Sequence, residues 1–183
     1  MNRQIWVIIL IASLTVMMLF LNKKVNLIRL FIKQLEVFKN AHTGKRSIWD
    51  IICFFVFPIA ISGLIVFGLS FRVTAQLAET LTTVFSLVFT ILFGFAAVIV
   101  EKRESDTEKK KRVISETFVS IITSTSLSLF SAFISILLTV IAKDPYVSIL
   151  SVILFAVSLH IIMLLLMITK RTFVIYCEDK QGN

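Results

Sequence analysis

The sequence predicts an all-α protein, a polytopic bundle of five transmembrane helices. Three observations carry that reading. First, 57% of the 183 residues are hydrophobic, above the roughly 45–50% of a soluble domain. Second, the apolar residues fall in long blocks and do not alternate, which excludes an outer-membrane barrel built from strands of about ten alternating residues. Third, each block approaches or exceeds the roughly 20 residues that a helix needs to cross a hydrocarbon core of about 30 Å. One bundle fills the chain from residue 1 to residue 183, leaving no room for a separate soluble domain.

The first block, Ile5–Leu21, is at the short limit of a span. Only Arg3 precedes it, no small-residue cleavage site follows, and Asn22-Lys23-Lys24 flanks it like a stop-transfer signal, so it reads as retained and not as a cleaved leader. The alternative is four spans, with this block lying in the membrane interface. Next comes VNLIRLFIKQLEVFKN, residues 25–40. On a helix, Leu27, Phe31, Leu35 and Phe38 share one face, and Arg29, Lys33, Glu36 and Asn40 share the other. This is a cationic amphipathic helix suited to the cytoplasmic membrane surface.

The second span, Ile48–Phe71, starts at Ser47-Ile48-Trp49-Asp50, where Ser47 can cap the first-turn amides and Trp49 sits at the interface. Pro58 lies within this span and should kink it, because proline has no N–H for the helix ladder. A short hairpin from Phe71 to Gln76 leads to the third span, Leu77–Val100. The island EKRESDTEKKKR then places ten charges between residues 101 and 112. Ser105-Asp106-Thr107-Glu108 within it is a cap signal, so the helix of the fourth span, Val113–Ala142, should begin near Asp106. From Asp106 to Ala142 is about 55 Å at 1.5 Å per residue, long enough to project about two turns from the membrane. Asp144-Pro145-Tyr146 marks a near-loopless turn into the fifth span, Val147–Thr169, followed by a cytoplasmic tail over residues 170–183.

Lys and Arg placement sets the expected orientation. Of the 19 basic residues, all but Arg3, Arg72 and Lys143 fall on one side of a five-span topology. That side is the cytoplasm. The chain is therefore expected in a cell inner membrane with the N-terminus outside and the C-terminus inside. The formal net charge of +8 reports topology first. A nucleic-acid reading is the weaker one, because these charges also face anionic lipid.

Two polar features stand out within the spans. In the fourth, Thr117, Ser120, Ser124, Ser128, Ser131, Ser135 and Thr139 recur at steps of three and four and fall within an arc of about 100°. The third repeats the theme with Thr83, Ser86, Thr90, Gly94 and Ala97, with Glu79 and Glu101 at its ends. Small residues let membrane helices approach closely, and hydroxyls can bond across the contact. The packing reading predicts tight contact between spans three and four, within a chain or across an oligomer. The competing reading is a hydrated pathway, although channels usually add charged rings or carbonyl filters, and none is evident at mid-span. His160 is the one ionisable side chain near mid-membrane, expected at the depth of Ser128. An intramembrane His is a functional candidate. The plainer expectation is a neutral ring bonded to a hydroxyl on another helix.

No HExxH, GxSxG or phosphate-binding glycine loop is present, and Cys53 and Cys177 have no metal-ligand spacing. The reading is a non-enzyme with no catalytic, cofactor-binding or metal residues. It is either an assembly or sensor subunit, homo-oligomeric and docking a soluble partner on its cytoplasmic face, or a small oligomeric channel lined by the fourth span. The docking residues would be Lys102, Arg103, Lys109, Lys110, Lys111 and Arg112. Size, short hairpins and the island EKRESDTEKKKR make the layout of the whole chain resemble the KwaA-like membrane subunit of the prokaryotic Kiwa antiphage system. That resemblance implies four spans, a homo-oligomer in the inner membrane and a cytoplasmic DNA-binding partner in phage defence. It carries over no functional residue.

Overall fold

The computed structural model describes residues 27–38, 47–101, 108–140 and 146–181, with side chains for 28–38, 47–100, 111–140 and 146–173. Among these residues the protein is an all-helical bundle of transmembrane type. Its helices are α1 (Leu27–Val37), α2 (Ile48–Gly68), α3 (Ala75–Glu101), α4 (Glu108–Val140) and α5 (Tyr146–Gln181). Helices α2 to α5 are each long and apolar enough to cross a membrane. The block Ile5–Leu21 lies outside the described residues, as do the expected caps around Ser105 and Asp144.

Of the four long apolar helices, the one of least mean hydropathy is the most enclosed. Over their most apolar windows, 56% of α4 is buried, against 17%, 22% and 28% for α2, α3 and α5. Helices α1, α3 and α5 pack around α4, and α2 packs on α5. The enclosing contacts follow a seven-residue repeat. On α3, Ala78, Phe85, Leu92 and Ile99 are buried. Their counterparts are Ile114, Ile121, Ser128 and Ser135 on α4, and Leu154, Ile161 and Ile168 on α5. A repeat of 3.5 residues per turn keeps one seam facing its partner when helices cross at about 20°.

Two apolar clusters divide the interior along its length. One joins Phe85, Leu138, Leu154 and Ile161. The other joins Leu92, Ile99, Ile114, Ile121 and Ile168.

Helix α2 carries the expected irregularity in a specific form. Its turns at Ile52–Val56 and Leu64–Gly68 are widened to π geometry, with Phe57 N–H bonding the carbonyl of Ile52 five residues back. Such a widened turn beside Pro58 relieves the clash between a proline ring and the preceding carbonyls. The helix begins as expected, with Ser47 Oγ accepting from the amide of Asp50 at 3.3 Å. Helix α3 begins two residues before the expected Leu77, because Thr74 caps it by accepting from the Leu77 amide at 3.3 Å.

The hairpin between α2 and α3 is fastened to α5. Ser151 is buried, and its Oγ accepts from the Val73 amide at 3.1 Å. Helix α5 does not stop at Thr169. It runs to Gln181, so residues 170–181 of the expected tail continue the helix.

Helix α1 is amphipathic, but its covered side is rotated from the expected one. Gln34, Val37 and Phe38 are buried, whereas Phe31 is 42% exposed. The Phe38 ring meets Phe54 and Phe55 at 4.8 and 6.3 Å. Helix α1 also leans on α4 along its length. Ile28 and Phe31 share an apolar hollow with Thr123, Leu127 and Phe130, while Val37 and Phe38 reach the level of Val113 and Glu116.

Candidate functional site

The hydroxyl stripe of α4 is a packing surface inside the chain. Thr117, Ser120, Ser124, Ser128, Ser131 and Ser135 all have 0% exposure, so none of them lines a water-filled passage within one chain. Thr139, near the helix end, is half-buried. The expected bonds across the helix contact are replaced by bonds back to the same helix. Thr117, Ser120, Ser124, Ser128 and Ser135 each donate to the carbonyl four residues earlier at 2.8–3.0 Å, and Thr139 to the carbonyl of Ile136 at 2.7 Å. A buried hydroxyl without an acceptor costs free energy. The i−4 carbonyl is the one acceptor always within reach on a helix. Ser131 departs from the pattern, its Oγ being buried with no partner among the described residues.

The corresponding arc of α3 points the other way. Thr83, Ser86, Thr90, Gly94 and Ala97 are exposed, as is Glu79. Their hydroxyls also bond their own helix, Thr83 to Glu79 O, Ser86 to Thr82 O and Thr90 to Ser86 O, at 2.8–3.2 Å. The space beside Gly94 is open, with no atom within 4 Å of where a Cβ would stand. The expected tight contact between spans three and four is present within the chain, through another face of α3. The pairing surface is the Ala78–Phe85–Leu92–Ile99 seam, whose seven-residue spacing was visible in the sequence.

His160 is buried on α5, and its acceptor is a carbonyl, not a hydroxyl. Nδ1 lies 2.6 Å from Phe54 O on α2. A carbonyl oxygen only accepts, so Nδ1 carries the proton and donates. The location of this bond has a cause in the sequence. Phe54 is four residues before Pro58, and Pro58 has no N–H to give it. The histidine supplies the missing donor from another helix, 106 residues away. The ring is held by Phe55, 4.6 Å between centroids. It borders the same hollow as Leu127 of α4, the residue before Ser128. Nε2 is buried and without a partner among the described residues.

Charge gathers where α1, α2, α4 and α5 meet at the Lys/Arg-rich end of the bundle. Glu116 is held between two arginines, with Oε1 2.9 Å from Nε of Arg112 and Oε2 3.2 Å from Nη1 of Arg171. The first contact is a hydrogen bond within α4. The second ties α4 to α5 by charge, while the buried Nη1 has no hydrogen-bond acceptor among the described residues. Arg112, expected at a docking surface, is thus engaged in this cluster. Lys111 belongs to α4 and is half-buried. Lys109 and Lys110 are on the first turn of α4, and Lys102 and Arg103 lie outside the described residues. Glu116, Arg171 and the Pro58–Phe54–His160 relation were not singled out from the sequence. Of the last, the sequence shows only that Pro58 brings no N–H to the carbonyls one turn before it.

Among the described residues, no group of His, Cys, Asp and Glu could hold a metal ion. No family model, curated protein or solved structure matches the chain.

Proposed function

We propose that the protein is a non-enzymatic membrane subunit that associates with copies of itself through the outer face of α3 and docks a soluble partner at its basic end. The observation that carries this reading is the exposed Thr83–Ser86–Thr90–Gly94 arc. Side chains of this size let two membrane helices approach closely. The matching arc of α4 is already covered by the chain's own helices and is not free for a second copy. The same burial gives the channel reading less support, because an α4-lined pathway requires those hydroxyls to meet water.

The basic end is the proposed cytoplasmic face, with the C-terminus inside and the N-terminus outside. Its support is the uneven Lys and Arg placement. The partner is a protein; direct nucleic-acid binding has no feature that calls for it. A phage-defence setting, with a DNA-binding protein as that partner, is supported by the layout resemblance to the Kiwa membrane subunit alone.

Disulfide mapping in native membranes tests self-association. In a background lacking Cys53 and Cys177, Gly94→Cys or Thr90→Cys is expected to form a cross-linked dimer under mild oxidation. Buried Leu92→Cys is expected to form none. A monomer at every α3 position overturns the assembly reading. Copurification tests docking, since a soluble protein retained by the intact chain should be lost when the charges of residues 101–112 are neutralised. Reproducible single-channel steps from purified protein in planar bilayers would favour conduction instead.

A further inference from the structure

The charged end of the bundle surrounds a cavity of about 730 Å³ between α1, α2, α4 and α5. Its lining is divided. Lys170 and Arg171 on α5 and Asp50 and Glu116 on α2 and α4 supply charge, while Met163 and Met167 continue down α5 as an apolar wall. Arg112 and Arg171 both hold Glu116, but the buried Nη1 of Arg171 is left without a hydrogen-bond acceptor. Among the described residues, Asp50 and Lys170 have no ion-pair partner. Two cations and two carboxylates therefore border one space at the membrane boundary, with hydrophobic surface leading from it into the span.

An occupant carrying only negative charge would meet both carboxylates as well as both cations. Glu116 and Arg171 already pair with each other, so a ligand with one charge of each sign matches the remaining pair, Asp50 and Lys170, and an apolar tail covers the methionines. We propose that this cavity binds a zwitterionic phospholipid with a primary ammonium headgroup, of the phosphatidylethanolamine type. Its phosphate takes charge-assisted hydrogen bonds from Lys170 and Arg171. Its ammonium donates to Asp50 and Glu116, and an acyl chain lies along Met163 and Met167. A choline headgroup has the same net charge but no N–H to donate, and a glycerol headgroup has no cation. The site thus distinguishes three common phospholipids by headgroup chemistry.

Native mass spectrometry of the delipidated full-length protein, with each lipid added at matched acyl composition, tests the assignment. The wild-type chain is expected to retain the ethanolamine lipid at least about threefold over both the choline and glycerol lipids. Asp50→Asn should reduce ethanolamine-lipid retention and erase the preference over the glycerol lipid. It leaves the helix cap intact, because Ser47 accepts from the Asp50 backbone amide. Lys170→Gln should lower retention of all phosphate-bearing lipids together. Unchanged helical circular dichroism in both variants excludes loss of fold as the cause. Equal retention of the three lipids, a preference for the glycerol lipid, or indifference to both substitutions overturns the proposal.

Discussion

Helices α3 and α4 carry nearly the same polar pattern and use it in opposite ways. Each has hydroxyl and small residues at steps of three and four along its membrane length. From Thr117 to Ser135 on α4 they are enclosed; on α3 they face outward. The hydrogen bonding is alike in both, with the hydroxyls other than Ser131 donating back to their own helix. A self-satisfied serine is close to neutral in its demand for a partner, so it fits a tight contact or a lipid-facing surface equally well. The direction is chosen by the other side of the helix. On α3 that side is an apolar seam at seven-residue spacing, and on α4 the hydroxyls of Ser128 and Ser135 continue the seam begun by Ile114 and Ile121.

The comparison is most sharply tested by enlarging one residue on each helix. Ser124→Leu on α4 forces a large side chain into a fully covered site. It should lower stability by about 1–3 kcal/mol, as overpacking does, read from thermal unfolding in detergent. Thr90→Leu on α3 should change monomer stability by no more than about 0.5 kcal/mol. Equal losses from the two would mean that α3 and α4 do not differ as described.

A second test addresses self-satisfaction from its exception, the carbonyl in α2 that its own helix cannot serve. His160→Leu should cost about 1–3 kcal/mol, the penalty of a buried acceptor left unpaired. In a Pro58→Ala background residue 58 regains its N–H, and the cost of His160→Leu should shrink by about half or more. Additive losses in this double-mutant cycle would disconnect the histidine from the proline.

Smaller still is the effect of Ser124→Ala. If the hydroxyl serves only its own helix, its removal costs less than about 1 kcal/mol, near the modest value found for hydroxyl bonds in membrane bundles. A larger loss would reveal a bond to a neighbouring helix. The smallest effect on the monomer belongs to Gly94→Leu, where the open space accepts the side chain. Under the proposed self-association it should abolish the oligomer, measured by light scattering in detergent, with unfolding temperature unchanged.

Much of the molecule was legible in advance because it depends on local chemistry. Ser47 starts α2 because its side chain reaches an amide three residues on. Pro58 disturbs that helix because it lacks a donor. The α4 arc is a real geometric feature because serine spacing and helical pitch are both fixed by the chain. The step from a pattern to its partner is not local. The α3 hydroxyls echo the α4 hydroxyls in spacing, and the Ala78, Phe85, Leu92 and Ile99 seam fills the contact within the chain. Apolar side chains pack into the gaps between small residues, whereas two rows of self-bonded hydroxyls gain little from meeting. Likewise, the periodicity of α1 predicts an amphipathic helix with Phe38 on its covered face, as found, but Gln34 is covered too and Phe31 remains 42% exposed. The neighbouring helix, not the residue's own polarity, decided which face was used.

The sequence by itself determined the class of the protein, the presence of its long apolar helices and the Ser47 cap of α2. These follow from bilayer thickness, helical rise and hydrogen bonds that reach no more than four residues. Only the tertiary structure decided that α4 is the enclosed helix and that His160 serves the carbonyl Pro58 leaves free. It alone brought Asp50, Glu116, Lys170 and Arg171 to one cavity. These relations join residues on different helices, and no periodicity within a single helix records which other surface will cover it.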